Sequence, residues 1–156
     1  MKFLVISGAP QTGKTTSINK IAEWLTIGIT TDIYGEALPS FLPGIKGKYE
    51  DFSIVINRHG KKIIIHSATD NKPWMDKLTN KLKENPDTDV VVTSCRDIYW
   101  ERNYFSDNVK PFASFFLESP LGKITRQKDF ALANKLYKAN LFLMHKHILI
   151  NSPYNL

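Results

Sequence analysis

The sequence predicts an α/β fold in which a mostly parallel five-stranded sheet is covered by helices. Three observations lead there. A short apolar run, Phe3-Leu4-Val5-Ile6, enters a glycine-bounded loop, and a helical stripe follows it directly. Further on, apolar runs of strand length alternate with segments of helical period. One pair of strand-like runs is joined too tightly for a crossover, so the sheet carries an antiparallel edge.

The elements can be justified in order. Phe3 to Ile6 is a buried strand ending at Ser7-Gly8, and Ile18, Ile21, Ala22 and Leu25 then recur at helical spacing with Asn19, Lys20 and Glu23 opposite them. The runs Asp51 to Asn57 and Lys61 to His66 are separated only by Arg58-His59-Gly60, which makes them a hairpin. Pro73 opens a helix carrying Met75, Leu78 and Leu82, which stops at Asn85-Pro86. Asp89 to Thr93 is a buried strand. A polar and aromatic stretch from Arg96 to Lys110 leads to a last strand at Phe112 to Leu117. Finally Phe130, Ala133, Tyr137, Leu141, Met144 and Ile148 lie three or four apart, with Lys128, Lys135, Lys138 and Lys146 off that stripe, which predicts a helix packed on the sheet. The expected strand order is 2-3-1-4-5, with the first hairpin strand at the edge and the ligand at the carboxyl ends of the strands. No repeat or linker divides the 156 residues, so a single domain is expected over 1–156.

Between the first strand and helix, Gly8, Ala9, Pro10, Gln11, Thr12, Gly13, Lys14 and Thr15 form a complete G-x-x-x-x-G-K-[ST] string, followed by Thr16. Its chemistry is that of a phosphate cradle: backbone N–H groups of residues 10 to 16 wrap phosphate oxygens, Lys14 neutralises the terminal phosphates, and the Thr15 hydroxyl meets a magnesium ion. The helix N-terminus adds its positive dipole end. The competing reading is a glycine-rich turn that only joins strand to helix. With strand, loop and helix in this order, the chain resembles the P-loop NTPase superfamily, and the resemblance implies that fold in three layers. The hairpin that follows is similar to the arrangement in Ras-like GTPases. Together with Phe52 to Asn57, Gly60-Lys61-Lys62, Ser67-Ala68-Thr69-Asp70 and Val91 to Cys95, the loop resembles a group of small uncharacterised bacterial ATP-binding proteins. The resemblance implies Mg2+ as cofactor and a nucleoside triphosphate as ligand.

Departures from those patterns redirect the other roles. Where GTPases end the strand after the hairpin in Asp, this chain has Ser67, and the Gly three residues later is Asp70. Asp70 is therefore the candidate for the second side of the metal, with a share in a helix cap before Pro73 as its alternative. The guanine-reading Asn-Lys-x-Asp string is absent, which favours ATP over GTP. Arg96, directly after the fourth strand, is the candidate to steady charge on a transferred phosphoryl group. Its alternative is an ion pair with Asp97 or Glu101. Tyr99, Trp100, Tyr104 and Phe105 form an aromatic cluster able to stack a base or to fill core. In the glycine- and proline-rich segment from Ile27 to Glu50, Thr30 and Thr31 are switch-like candidates for the metal and Glu36 for a water or hydroxyl, against a mobile surface loop with Lys46 and Lys48 solvated.

The rest narrows the setting. A lone Cys95 excludes an internal disulfide, the apolar start is too short for a signal peptide, and no run reaches membrane-spanning length, so a cytoplasmic protein without a membrane partner is expected. A net charge of +6 suits a phosphate-binding enzyme and a nucleic-acid binder equally. His145 and His147 are two apart on a helix and make a poor metal pair, and Cys95 has no identifiable base. Two function classes follow. One is an enzyme that hydrolyses MgATP or transfers its terminal phosphate to a small acceptor. The other is a nucleotide-dependent switch in which the long loop and the basic hairpin, Arg58, Lys61 and Lys62, change shape for a partner.

Overall fold

The computed structural model describes residues 1–42, 49–123 and 126–156, with the side chains of residues 126–130 outside that description. Five strands, β1 (Lys2–Gly8), β2 (Ser53–Arg58), β3 (Lys61–His66), β4 (Val90–Arg96) and β5 (Phe115–Pro120), form one mixed sheet in the order β2-β3-β4-β1-β5. Only the β2–β3 pair is antiparallel, with Ser53 opposite His66 and Arg58 opposite Lys61. The antiparallel edge strand is thus where the sequence predicted it.

The strand order is not. The expected order put β3 beside β1, whereas β4 lies between them, with Ile63 beside Val90 on one side and Lys2 beside Val90 on the other. The physical reason is that the helix after β3 returns the chain to the neighbouring slot, the commonest outcome for consecutive strands. β4 can occupy that slot because each of its residues from Val90 to Cys95 is buried. β5 holds the far edge, where Pro120 costs the ladder no hydrogen bond.

Helix α1 (Lys14–Leu25) packs Ile18, Ile21, Ala22 and Leu25 against Leu4, Ile6, Ile56, Ile65 and Val92 on one face of the sheet. On the other face α2 (Lys72–Glu84) and α3 (Tyr99–Asn108) bring Met75, Leu78, Leu82 and Phe105 against Phe3, Val5, Val55, Ile64 and Val91. The alternation of these strand residues between two cores is the period-2 pattern of a sheet covered on both sides. Helix α3 is absent from the sequence reading, which left Arg96 to Lys110 without an element. The last strand also starts later, at Phe115, after a 3₁₀ turn at Lys110–Phe112.

Helix α4 (Arg126–Leu143) and the π-helical turns Met144–Leu149 end the fold. The predicted stripe is the least exposed side of α4, but only from Met144 onward does it enter the core. Before that the helix passes over the loop ahead of α1 and leaves Leu132, Leu136, Phe142 and Leu143 exposed. The expectation of a helix packed on the sheet therefore holds for its last turns alone. Phe130 and Lys128 lie outside the described side chains.

Residues 27–42 do not form a solvated surface loop, because Leu38, Phe41 and Leu42 are buried in the α1-side core. Thr31 and Ala37 form a bridge, and the Ile33 N–H donates to the Val55 carbonyl at 2.9 Å. This covers part of the outer edge of β2, the strand edge that would otherwise be open to pairing. Lys46 and Lys48 lie outside the described residues. Among the described residues no helix is long and apolar enough to cross a membrane.

Candidate functional site

Helices leave β1 and β4, which are neighbours, toward opposite faces of the sheet. Such a point opens a crevice at the carboxyl ends of the strands. The Asp97 N–H donates to the Gly8 carbonyl at 3.0 Å and ties the two strand ends together there. A cleft of about 350 Å³ opens above them, with Lys14, Thr15, Asp51, Ser67, Asp70 and Arg96 on its walls.

The loop from Gly8 to Thr15 is built by backbone that most residues avoid. Gly8 has φ +150°, and a Cβ there would meet the Thr12 hydroxyl at 2.8 Å and the Leu121 carbonyl oxygen at 2.9 Å. Gly13 has φ +94° and precedes α1 with no side chain capping the helix. The Ser17 N–H donates to the Gly13 carbonyl, the first bond of the helix, so the N–H groups of Lys14, Thr15 and Thr16 have no partner within it. The Thr12 hydroxyl donates to the Ala9 carbonyl at 2.9 Å and closes the loop on itself. Of the loop residues singled out in the sequence, Pro10, Gln11, Gly13, Lys14, Thr15 and Thr16 line the cleft, while Gly8 and Ala9 offer carbonyls beneath it.

The Lys14 ammonium donates to the Gly8 and Ala9 carbonyls at 2.9 and 2.8 Å. Burial, and then the nearby Arg96 guanidinium, hold its pKa below the usual lysine range. Two cations thus share one wall of the cleft beside the positive end of α1. Arg96 has its Nη1 at 3.4 Å from Glu101 Oε1 and 3.5 Å from the Asp70 carbonyl. Of its two expected partners Glu101 is the one present. Asp97 faces Arg102 at 3.5 Å instead.

Across from the cations stands a carboxylate that sequence reasoning missed. The Thr15 hydroxyl donates to Asp51 Oδ1 at 3.2 Å, and Ser67 Oγ lies 3.4 Å from the same oxygen. Asn19, buried on α1, donates to the carbonyls of Thr15 at 2.8 Å and Glu50 at 3.0 Å and so fixes the chain before β2 against the loop. The signal was in the sequence: an antiparallel hairpin returns its first strand's amino end to the carboxyl edge of the parallel strands. Asp51 had been read only as the start of that strand.

Asp70 lines the cleft but is not the cap of α2. That is Asn71, whose Oδ1 accepts from the Trp74 N–H at 3.0 Å. Thr30, Thr31 and Glu36 do not line the cleft. The aromatic cluster is divided: Phe105 is core, Tyr104 donates to Asp76, and Tyr99 and Trp100 are exposed at the start of α3. The His145 ring lies tilted against Trp24 with centroids 4.0 Å apart, and His66 is wholly buried, its pKa lowered by that burial to about 3.

Neither a family model, nor a curated protein, nor a solved structure matches this chain.

A magnesium ion can be tested against that geometry. Among the described residues no three His, Cys, Asp or Glu side chains gather to hold a metal. Magnesium seldom needs such a cage, since it keeps several waters and takes one or two protein oxygens plus phosphate oxygens. The Thr15 hydroxyl and Asp51 carboxylate, adjacent on the cleft wall, fit that donor set.

A second cavity of about 860 Å³ lies between the loop and α4. Gln11, Gly13 and Thr16 border both cavities, which lie to either side of the start of α1. Leu121, Leu136, Tyr137 and Leu143 give this second space a largely apolar wall, with Asn134 and Asn140 among its polar lining residues. Its size is within the range of small-molecule sites.

Proposed function

We propose that this chain is a P-loop NTPase that binds a nucleoside triphosphate with magnesium and either hydrolyses it or passes its terminal phosphate to a small acceptor. The observation that carries the reading is the pairing of Lys14 with Arg96 at the uncapped N-terminus of α1. Two cations and a positive helix end converge on one cleft wall, an arrangement suited to attract a polyanion. In this reading the N–H groups of the loop and the first turn of α1 hold phosphate oxygens, Lys14 reaches the terminal phosphates, and Arg96 faces the one that is transferred. Thr15 and Asp51 would hold the magnesium, with Asp70 toward its water shell. The ion supplies neutralisation of charge on the phosphate oxygens.

The apolar cavity beside Thr16 would take the nucleoside, with Asn134 and Asn140 facing the base edge. ATP remains favoured, because the guanine-reading string is absent. The lone, buried Cys95 agrees with a reducing cytoplasm.

The alternative, a switch that moves its basic hairpin, finds little support in the geometry. Arg58 Nη1 donates to the Leu25 carbonyl at 3.0 Å, Lys62 pairs with Asp87 at 2.7 Å, and Lys61 donates to the Tyr154 carbonyl. The hairpin tip is tied at three points. The test is ADP release from ATP with and without magnesium, repeated with a panel of small alcohols, carboxylates and phosphates. Magnesium-dependent release that is lost in Arg96→Ala is expected, and stimulation by one acceptor would identify a kinase. Nucleotide that binds and is never turned over under any of these conditions would overturn the enzymatic reading.

A further inference from the structure

We propose that Glu101 is a positioning residue that aims the Arg96 guanidinium at the terminal phosphate of the bound nucleotide. The inference rests on the proposed function and adds a residue to the same site.

Glu101 lies in the first turn of α3, and its side chain is only 2 % exposed. One carboxylate oxygen faces Arg96 Nη1 at 3.4 Å, and the other is buried without a hydrogen-bond partner. Burial pushes the carboxyl upward, and the Arg96 charge pulls it back. A buried carboxylate left half satisfied costs stability, so a pair built only to hold the fold would serve poorly in this form.

The fold does not need it for that purpose. The next residue, Arg102, donates to Glu118 Oε1 on β5 at 2.6 Å and joins α3 to the sheet, while Phe105 and Val109 bury the apolar side of the segment. What Glu101 and the Asp70 carbonyl do share is one end of the same guanidinium. Both lie at Nη1, which leaves Nη2 and Nε as donors for an anion in the cleft that Arg96 lines. A planar guanidinium held along one edge presents the other in a fixed direction, which is how arginine gains specificity for phosphate.

The test is calorimetric titration of the full chain with MgATP and MgADP, read as the ratio of the two affinities. Glu101→Met removes the acceptor at nearly constant volume and should lower the ATP-over-ADP ratio roughly tenfold, the size of one charge-assisted hydrogen bond. Arg96→Ala should do the same, and the double variant should lose no more than either single one. Glu101→Gln keeps an acceptor oxygen and should retain most of the ratio. A structural role alone would weaken both nucleotides together. A wild-type ratio in Glu101→Met, or additive losses in the double variant, would overturn the inference while the proposed function stood. Wild type binding neither nucleotide would remove both. Should Glu101→Met fail to fold, the arginine side-chain 15N spectrum of the wild type decides, with Arg96 assigned from Arg96→Lys. The Arg96 Nε–H signal should shift with MgATP and stay in place with MgADP, and no shift with MgATP would overturn the inference.

Discussion

Arg58 and Lys62 at the hairpin tip and Lys14 and Arg96 at the cleft are cations of the same kinds in opposite electrostatic settings. Arg58 donates to the carbonyl of Leu25, the last residue of α1, where the helix is negative. Lys62 meets Asp87. At the other end of the same helix, Lys14 sits where the helix is positive and beside a second cation, which helps to hold its pKa down. The hairpin cations meet partners of opposite sign, whereas Lys14, held by the Gly8 and Ala9 carbonyls, and Arg96, held by Glu101, also face each other and a helix end of their own sign. A basic sequence therefore says little until each charge is placed against helix ends and partners.

Glycines sharpen the comparison first, because they give the largest expected effect. Gly60 in the hairpin turn has φ +73° and nothing within 4 Å of a Cβ, so Gly60→Ala should cost only the backbone strain, about 1 kcal/mol. Gly8→Ala adds a collision with the Leu121 carbonyl oxygen to unfavourable backbone geometry and should cost about 3 kcal/mol. Urea unfolding of both variants checks this, and equal losses would mean that the loop is no tighter than the turn.

Acid should act through the cleft end as well. His66, at the end of β3, is held neutral by burial with a pKa near 3, so between that value and about 6.5 the unfolded chain binds a proton that the fold refuses. Stability is intact above pH 6.5 and falls as pH drops through that window, by about 2 kcal/mol at pH 5. Comparing urea midpoints at pH 7 and pH 5 measures it, and His66→Gln should remove most of the difference.

The smallest effects fall on the cations themselves, and there the sizes should differ. Arg58→Ala should lower stability by about 1 kcal/mol through loss of a charge-assisted bond at the end of α1. Lys14→Ala loses its bonds to the Gly8 and Ala9 carbonyls but also removes a charge from beside Arg96 and from a helix end of the same sign, so the net loss should stay below about 0.5 kcal/mol. Thermal unfolding of the two proteins reads both. Destabilisation by Lys14→Ala as large as that by Arg58→Ala would break the contrast.

Much of this was legible because it is local. The strand, glycine loop and helix from Phe3 to Leu25, the hairpin and the helix after Pro73 each carry their own periodicity and breakers. The order of β1 and β4 was not, since both carry a continuous apolar run and either arrangement buries them. Helix α3 escaped because its apolar side amounts to Phe105 and then Val109, four residues apart, amid charged and exposed aromatic residues. Phe130 to Ile148 showed its stripe, but a stripe does not tell what it covers, and half of it lies over a loop and a cavity. At the site, the loop residues were readable as a string. Asp51 was not, since it matters through Thr15, far from it in sequence, and for Glu101 the pairing with Arg96 five residues away was legible but its burial was not.

The most direct test of the central claim is calorimetric titration of the wild type and Lys14→Ala with ATP and with GTP, each with magnesium. The account predicts ATP binding by the wild type, weaker or no GTP binding, and loss of ATP binding in a variant that stays close to its parent in stability. Equal binding of ATP by the two proteins would contradict it.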